Sequence, residues 1–227
     1  MVFEIDSDEM TAAAFQMLSA GTLSGGRTLA SVIGPATWAD FSARMRESGF
    51  DPAMCSSMKP WMAALTLTAF EMTSAGYLPS AGIDSYFSRR AEEAGKERMA
   101  LETVAFQVSL FADLTEEQSL AFLTYTLADL ETLIPELDQL SAYWRAGDVA
   151  PIEAYLLEGF EEFPDLFAKL VTNRNRAWLE SIEEMLAGDS DAMVVAGAMH
   201  LVGEGGLVDL LRQGGHTVEQ ITQATRR

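Results

Sequence analysis

The chain has 227 residues, of which 48% are hydrophobic, enough for a sizeable core in one large or two small domains. Its 34 acidic and 15 basic residues give a formal net charge of −19, which argues against nucleic-acid binding, since that requires a basic face, and against docking on anionic lipid. Cys55 is the only cysteine, so an intrachain disulfide is excluded, and no run of about 18 apolar residues predicts a membrane span.

Hydrophobic spacing, prolines and capping signals predict a mostly helical chain. Pro35 suits the first turn of a helix, and Thr115 with Gln118 has the form of a capping box that opens another. Pro135 then favours the start of a separate helix, and Asp148 can cap the next. The predicted helices cover residues 9–18, 35–48, 61–72, 85–94, 104–111, 115–133, 135–145, a segment after 148, 165–186 and 207–212.

Four short segments predict strands, because they are apolar or alternating and are bounded by turn residues. They are residues 2–5, 96–101, 192–196 and 217–221. The fold class predicted is α/β, with a small mixed sheet of about four strands near the termini and a large helical insertion. We expect one domain, with its sheet core in residues 1–27 and 161–227 and a helical cap over about residues 28–160.

The segment 192–207 combines a strand, a Gly-x-x-His motif and a glycine-rich loop. Gly197 frees the backbone after the strand, and His200 follows three residues later. In open α/β sheets, ligands collect at the carboxyl ends of strands, where His200 is expected to lie. A single histidine after a strand also fits a purely structural role.

Other polar residues are candidates for the same site. Glu4 lies within an apolar strand, where a carboxylate needs a partner or a cation unless it is on an exposed face. Arg174 and Asn175 lie on a long helix, either as surface residues or as groups that hold a carboxylate. Glu102 ends the second predicted strand and is a similar polar contact.

The motifs that the sequence has and lacks indicate which kinds of site are possible. The chain has no Gly-x-Ser-x-Gly, no P-loop and no Gly-x-Gly-x-x-Gly after a strand, which argues against serine hydrolases, phosphate-cradling NTPases and dinucleotide enzymes. One cysteine and two distant histidines exclude a zinc site made of local His and Cys alone. A mixed histidine and carboxylate site suits Mn²⁺, Co²⁺ or Zn²⁺.

Residues 113–165 hold thirteen acidic side chains and one basic side chain, Arg145. A solvated acidic surface explains such a stretch, and selection of basic ligands is the alternative.

Residues 194–207, V-V-A-G-A-M-H-L-V-G-E-G-G-L, resemble the carboxyl-terminal signature of the TraB/PrgY/GumN family, which includes the animal Tiki proteases. The GumN-like bacterial branch is the most similar. The resemblance runs along nearly the whole chain through short motifs that occur in the family's order. They are Phe3-Glu4-Ile5-Asp6, Lys59-Pro60-Trp61, Gly82-Ile83-Asp84, Gly95-Lys96, Leu101-Glu102-Thr103 with Gln107, Trp144 with Gly147-Asp148, and Arg174-Asn175 with Trp178.

This resemblance implies an α/β core with a helical cap and, for the Tiki branch, a protease that uses Mn²⁺ or Co²⁺. The family's site has two Gly-x-x-His motifs and a strand glutamate. The second motif maps onto Gly197 and His200, and the glutamate onto Glu4. The first motif would lie before Glu4, so we expect the site in this chain to be incomplete: either earlier sequence holds that motif, or this member of the family has lost it.

Three functions are therefore kept open. The first is a metal-dependent hydrolase, of peptidase type, in which His200 is a metal ligand, Glu4 is a ligand or the general base, and Arg174 and Asn175 orient the site. The second is a non-catalytic protein that binds or sequesters peptides or small molecules, and the third is an inactive remnant of the fold.

The sequence also bears on the oligomeric state and the cellular compartment of the protein. An uncovered sheet edge favours a homodimer. No signal peptide is visible, which fits the cytoplasm, whereas a preceding export signal would place the protein in the periplasm or outside the cell.

Overall fold

A computed structural model of the chain describes residues 1–160 and 164–221. Most of these residues are helical, and the α/β class with a helical majority is confirmed. The helices are α1 Met10–Ala20, α2 Leu29–Glu47, α3 Pro60–Ser74, α4 Ile83–Glu93, α5 Val104–Ala112, α6 Glu116–Ala146, α7 Val149–Glu158, α8 Pro164–Phe167, α9 Asn173–Ala187, α10 Ala198–Leu201 and α11 Leu207–Gln213.

The sheet has three strands in the order β2-β1-β3, with β1 Val2–Phe3 in the centre, β2 Met99–Ala100 and β3 Val194–Val195. Both pairings are parallel, and Val2 is opposite both Met99 and Val194. The central strand is buried on both residues, as expected for a parallel strand covered on its two faces. The prediction of a mixed sheet is therefore wrong, because each strand returns through helices to the same end of the sheet.

The prediction of a fourth strand at residues 217–221 is also wrong. These residues are mostly exposed and form no strand. The Arg212 guanidinium donates to the Val218 carbonyl at 3.2 Å, and the backbone amide of His216 donates to the Leu211 carbonyl at 3.0 Å. Without a buried face, the segment gains too little from burial to order an additional strand.

The described chain divides into two compact units. One comprises Met1–Glu4, Lys96–Leu101 and the part of the chain from Glu136 onwards, and it holds the sheet. The other comprises Ile5–Gly95 and Glu102–Pro135. The single domain with a cap over about residues 28–160 stays a prediction.

The helical unit has a core built from α2, α3 and the first half of α6. Phe41 and Met45 are fully buried there, as their helical spacing predicts, and Leu67 and Leu123 pack with them. Cys55 belongs to the same cluster, and burial raises the pKa of its thiol to about 11. At neutral pH Cys55 is therefore a neutral packing group rather than a nucleophile.

Three helices differ from their predicted bounds. Helix α6 continues through Pro135, because a proline removes one backbone hydrogen bond and a long, otherwise bonded helix tolerates that loss. Helix α2 begins at Leu29, but it is interrupted at Gly34, whose φ of 80° favours glycine, so Pro35 opens its second part as predicted. The helix predicted over residues 165–186 is divided by a π-helical turn, Ala168–Thr172.

Candidate functional site

Four segments of the sheet unit bring the predicted site residues together. Glu4 directly follows β1, and Gly197 is the second residue after β3. Because β1 and β3 are adjacent and parallel, their carboxyl ends lie at the same edge of the sheet. Arg174 and Asn175 are in the first turn of α9, and His200 is in the short helix α10.

Both oxygens of the Glu4 carboxylate are hydrogen-bonded. Oε2 accepts from Arg174 Nη2 at 2.7 Å, and Oε1 accepts from the backbone amide of Gly197 at 2.8 Å. The Glu4 side chain is 23% exposed and that of Arg174 is 8% exposed, so the ion pair is largely withdrawn from water. These bonds hold the carboxylate in one orientation.

Gly197 acts through its amide. Its backbone is extended, with φ −58° and ψ 144°, which any residue can adopt. The expectation that Gly197 frees the backbone is wrong, since its conformation needs no glycine. A Cβ at Gly197 would meet Glu4 Oε1 at 3.4 Å, an ordinary contact distance.

Arg174 links Glu4 to His200. Its Nη1 lies 3.0 Å from His200 Nε2 and donates to the Leu170 carbonyl at 2.9 Å, while its Cζ is 4.8 Å from the centre of the Trp178 ring. A guanidinium only donates, so His200 Nε2 must be the acceptor. His200 is therefore a neutral imidazole whose proton is on Nδ1.

The contacts of Asn175 agree with a proton on His200 Nδ1. His200 Nδ1 is 2.7 Å from Asn175 Oδ1, and Asn175 Nδ2 donates to the Gly205 carbonyl at 2.9 Å. The second bond fixes the amide so that its oxygen faces the ring, where it accepts the Nδ1 proton. Arg174 and Asn175, neighbours on one helix, thus contact the two nitrogens of the same buried ring.

The glycine loop after α10 is bonded to the next helix. Gly205 has φ of +75°, which favours glycine, and its amide donates to Asp209 Oδ2 at 2.9 Å. The same oxygen accepts from Gln213 Nε2 at 2.8 Å. Sequence reasoning missed Asp209, whose signal is its place in the first turn of a helix that follows a glycine loop.

The packing below the cluster comes from α9 and α11. Trp178, Ile182 and Leu207 are buried together, as the spacing of the first two along their helix predicts. The Trp178 and His200 rings are 4.3 Å apart. Trp178 therefore contacts both Arg174 and His200, and its position one helical turn after Arg174 is the sequence signal for that contact.

Glu102 is the predicted site residue that lies in the helical unit. Its Oε2 accepts from Gln107 Nε2 at 3.2 Å. The second histidine, His216, lies in the sheet unit with its Nε2 3.9 Å from Glu183 Oε1. Neither residue is among the hydrogen-bond partners of Glu4 described above.

A divalent ion would find two suitable ligands in this cluster. The Glu4 carboxylate and the lone pair of His200 Nε2 both face the Arg174 guanidinium, so the position between them already suits a positive charge. A mononuclear catalytic site usually has three protein ligands. Among the described residues no group of three or more His, Cys, Asp or Glu side chains could hold a metal. Glu4 and His200 therefore fit part of a metal site, and not a complete one.

The family model described as TraB/PrgY/gumN matches residues 1–220. Two relatives, both called uncharacterized protein YbaP, come from Escherichia coli strain K12 and Shigella flexneri, and each is 29% identical over 167 residues, 74% of this chain. The chain spans 61% of the length of these curated relatives. No solved structure gives a significant match.

Within residues 1–160 and 164–221, no helix is long and apolar enough to cross a membrane.

Proposed function

Because the chain belongs to the TraB/PrgY/gumN family, we propose that it carries part of a hydrolytic site of peptidase type that works with Mn²⁺, Co²⁺ or Zn²⁺. The observation that supports this function is the convergence of Glu4, Arg174 and His200 from segments far apart in the sequence. A carboxylate, a guanidinium and a neutral imidazole, bonded in a row at the edge of a parallel sheet, are groups that hydrolases use.

Each residue has a defined part in this proposal. Glu4 and His200 would hold the ion, which when bound supplies a water molecule of lowered pKa. Asn175 keeps the proton of His200 on Nδ1, so that the Nε2 lone pair is directed into the site. Arg174 holds the Glu4 carboxylate and has to release Nε2 before His200 can act as a ligand. Its guanidinium can then donate to a substrate carbonyl.

A second function, capture of peptides without cleavage, is favoured by the acidic stretch over residues 113–165. In that case the cluster of Glu4, Arg174 and His200 is a structural element that joins α9 to the sheet. The two functions differ in whether His200 binds a metal and whether a bound peptide is cut.

Metal binding and peptide cleavage by the whole protein test the proposal. We expect bound Mn²⁺, Co²⁺ or Zn²⁺ after dialysis. His200→Ala should bind the ion at least about 10- to 100-fold more weakly, because loss of a ligand costs no less than loss of a residue that only orients one. Elemental analysis measures the metal, and mass spectrometry of a peptide mixture measures cleavage. His216→Ala, the other histidine, is the matched control and should behave as wild type.

Three results are informative. Metal binding with cleavage, lost together in His200→Ala, supports the hydrolase. Peptide binding that is unaffected by metal and by His200→Ala supports capture. Absence of metal, cleavage and any effect of His200→Ala contradicts the hydrolase.

A further inference from the structure

An apolar groove lies beside the cluster in the same unit. It has a volume of about 160 Å³ and is lined by Leu137, Leu140, Ser141, Trp144, Ile152 and Ala198. Four of these residues form a stripe on the second half of α6 at helical spacing, and Ile152 belongs to α7. Trp144 is 54% exposed, so a large aromatic surface at the groove remains in contact with water.

Ala198 connects the groove to the cluster. It follows Gly197, whose amide binds Glu4, and it precedes His200 by two residues on α10. Helix α10 also packs against α7. A molecule seated in the groove therefore reaches the short helix that carries His200.

The size of the groove indicates what it can hold. Its volume is below the roughly 300–1,000 Å³ of small-molecule pockets. It matches a single apolar side chain, and its open side leaves the rest of a peptide outside. Leucine, isoleucine and tryptophan walls favour an aliphatic or aromatic side chain.

The charges on the same elements indicate what surrounds that side chain. Residues 136–158 carry five acidic groups and one basic group, Arg145, whose Nε donates to the backbone carbonyl of Ser141. Glu136 accepts a hydrogen bond from Tyr155 on α7, and Glu153 lies against Gly203 in the loop after α10. The surface around the groove is thus acidic and favours lysine or arginine next to the apolar residue.

We infer that this groove is a subsite for one large apolar side chain of a basic peptide, next to the candidate hydrolytic site. The inference rests on the proposed function for peptides as the substrate class. Trp144 and Leu140 determine the preference for an apolar side chain, and the carboxylates of α6 and α7 determine the preference for basic neighbours.

Fluorescence anisotropy of labelled, end-capped pentapeptides tests the subsite in the whole protein. The peptides are Lys-Lys-Phe-Lys-Lys, Lys-Lys-Gly-Lys-Lys and Glu-Glu-Phe-Glu-Glu, measured with a chelator present so that binding is independent of metal and cleavage. We expect the first to bind about 10-fold or more tightly than the second, from burial of one aromatic side chain. It should also bind more tightly than the third, with a difference that shrinks as salt is added.

Variants locate the binding. Trp144→Ala removes one wall of the groove, and Ser141→Trp fills it. Each substitution should remove most of the difference in affinity between the phenylalanine and glycine peptides. Leu186→Ala is the control, because Leu186 is an apolar residue of the same unit with the same 54% exposure outside the groove. Circular dichroism checks that each variant is folded.

Several results overturn the inference. Equal binding of the phenylalanine and glycine peptides shows that charge alone binds them, and equal effects of Trp144→Ala and Leu186→Ala show that the groove is not the site. A dimer that Trp144→Ala converts to a monomer, with no peptide binding, shows that a second copy occupies the groove. Specific peptide binding in this assay, combined with no bound metal and no cleavage when the whole protein is tested without chelator, supports the subsite and contradicts the hydrolase, so the two proposals fail separately.

Discussion

Arg174 is the residue on which the geometry of the candidate site depends. Its guanidinium bonds Glu4 on one side and His200 on the other, and the ring of Trp178 lies against it. The partly buried Glu4 carboxylate needs this partner because a charge withdrawn from water is costly when unpaired. The same bonds keep His200 Nε2 engaged, so Arg174 brings Glu4 and His200 together and would compete with any cation for them.

Replacing Arg174 by methionine removes these bonds and keeps much of the aliphatic packing. We expect Arg174→Met to lower the free energy of unfolding by about 2–3 kcal/mol, because the Glu4 carboxylate is left partly buried without its cation. Urea denaturation measures the change. A double-mutant cycle with Glu4→Gln should give a coupling of about 1 kcal/mol or more.

Arg27→Met is the matched control for this prediction. Arg27 pairs with Glu116 in a salt bridge whose side chains are 48% and 61% exposed. Exposed pairs are screened by water, so its loss should cost less than about 1 kcal/mol. Equal destabilisation by the two substitutions would show that burial of the Glu4 pair adds nothing.

At the scale of elements, the start of α6 shows how a local signal defines a helix end. Thr115 Oγ1 accepts from Gln118 N at 3.1 Å, and Gln118 Oε1 accepts from Thr115 N at 3.0 Å. The predicted capping box is confirmed, because all of its partners lie within four residues of each other.

Removing this cap should destabilise the protein measurably. We expect Thr115→Ala to lower the free energy of unfolding by about 1 kcal/mol, since it leaves the Gln118 amide of the first turn without its acceptor. Thr124→Ala is the control, because Thr124 is an exposed residue inside the same helix whose hydroxyl donates to the Leu120 carbonyl. Its effect in thermal or urea denaturation should stay within about 0.5 kcal/mol; a loss as large as that of Thr115→Ala would contradict the capping role.

The π-helical turn Ala168–Thr172 is an element that periodicity did not reveal. It lies directly before Asn173, where α9 begins, and the carbonyl of Leu170 within it accepts from Arg174. Such turns occur frequently at functional sites. Here the turn changes the helical phase just before Arg174 and Asn175, the two residues that contact opposite nitrogens of His200.

The whole molecule carries a net charge of −19, and repulsion among like charges opposes its compact state. The Debye length falls from about 30 Å at 0.01 M salt to about 8 Å at 0.15 M. We therefore expect the Tm to rise over that range when thermal unfolding is followed by circular dichroism. NaCl and KCl should act alike, because screening depends on ionic strength. A falling Tm would show that ion pairs such as Arg44–Glu131 outweigh the repulsion.

The sequence by itself determined the features whose causes are local. Helix caps, the buried faces of Phe41, Met45 and Trp178, and the strands at both sides of the helical segments depend on neighbours a few residues away. The resemblance, carried by short motifs in order, also named the family and the candidate residues.

Tertiary structure alone decided which groups meet. Glu4 and Arg174 are 170 positions apart, and only the parallel alignment of β1 and β3 with the turn before α9 brings Glu4, Gly197 and Arg174 into contact. Parallel pairing and the loss of a strand at residues 217–221 likewise depend on what each segment can bury against. Local preferences are visible in the chain, whereas the partner of a buried polar group depends on the path of the whole backbone, which here brings Arg174 between Glu4 and His200.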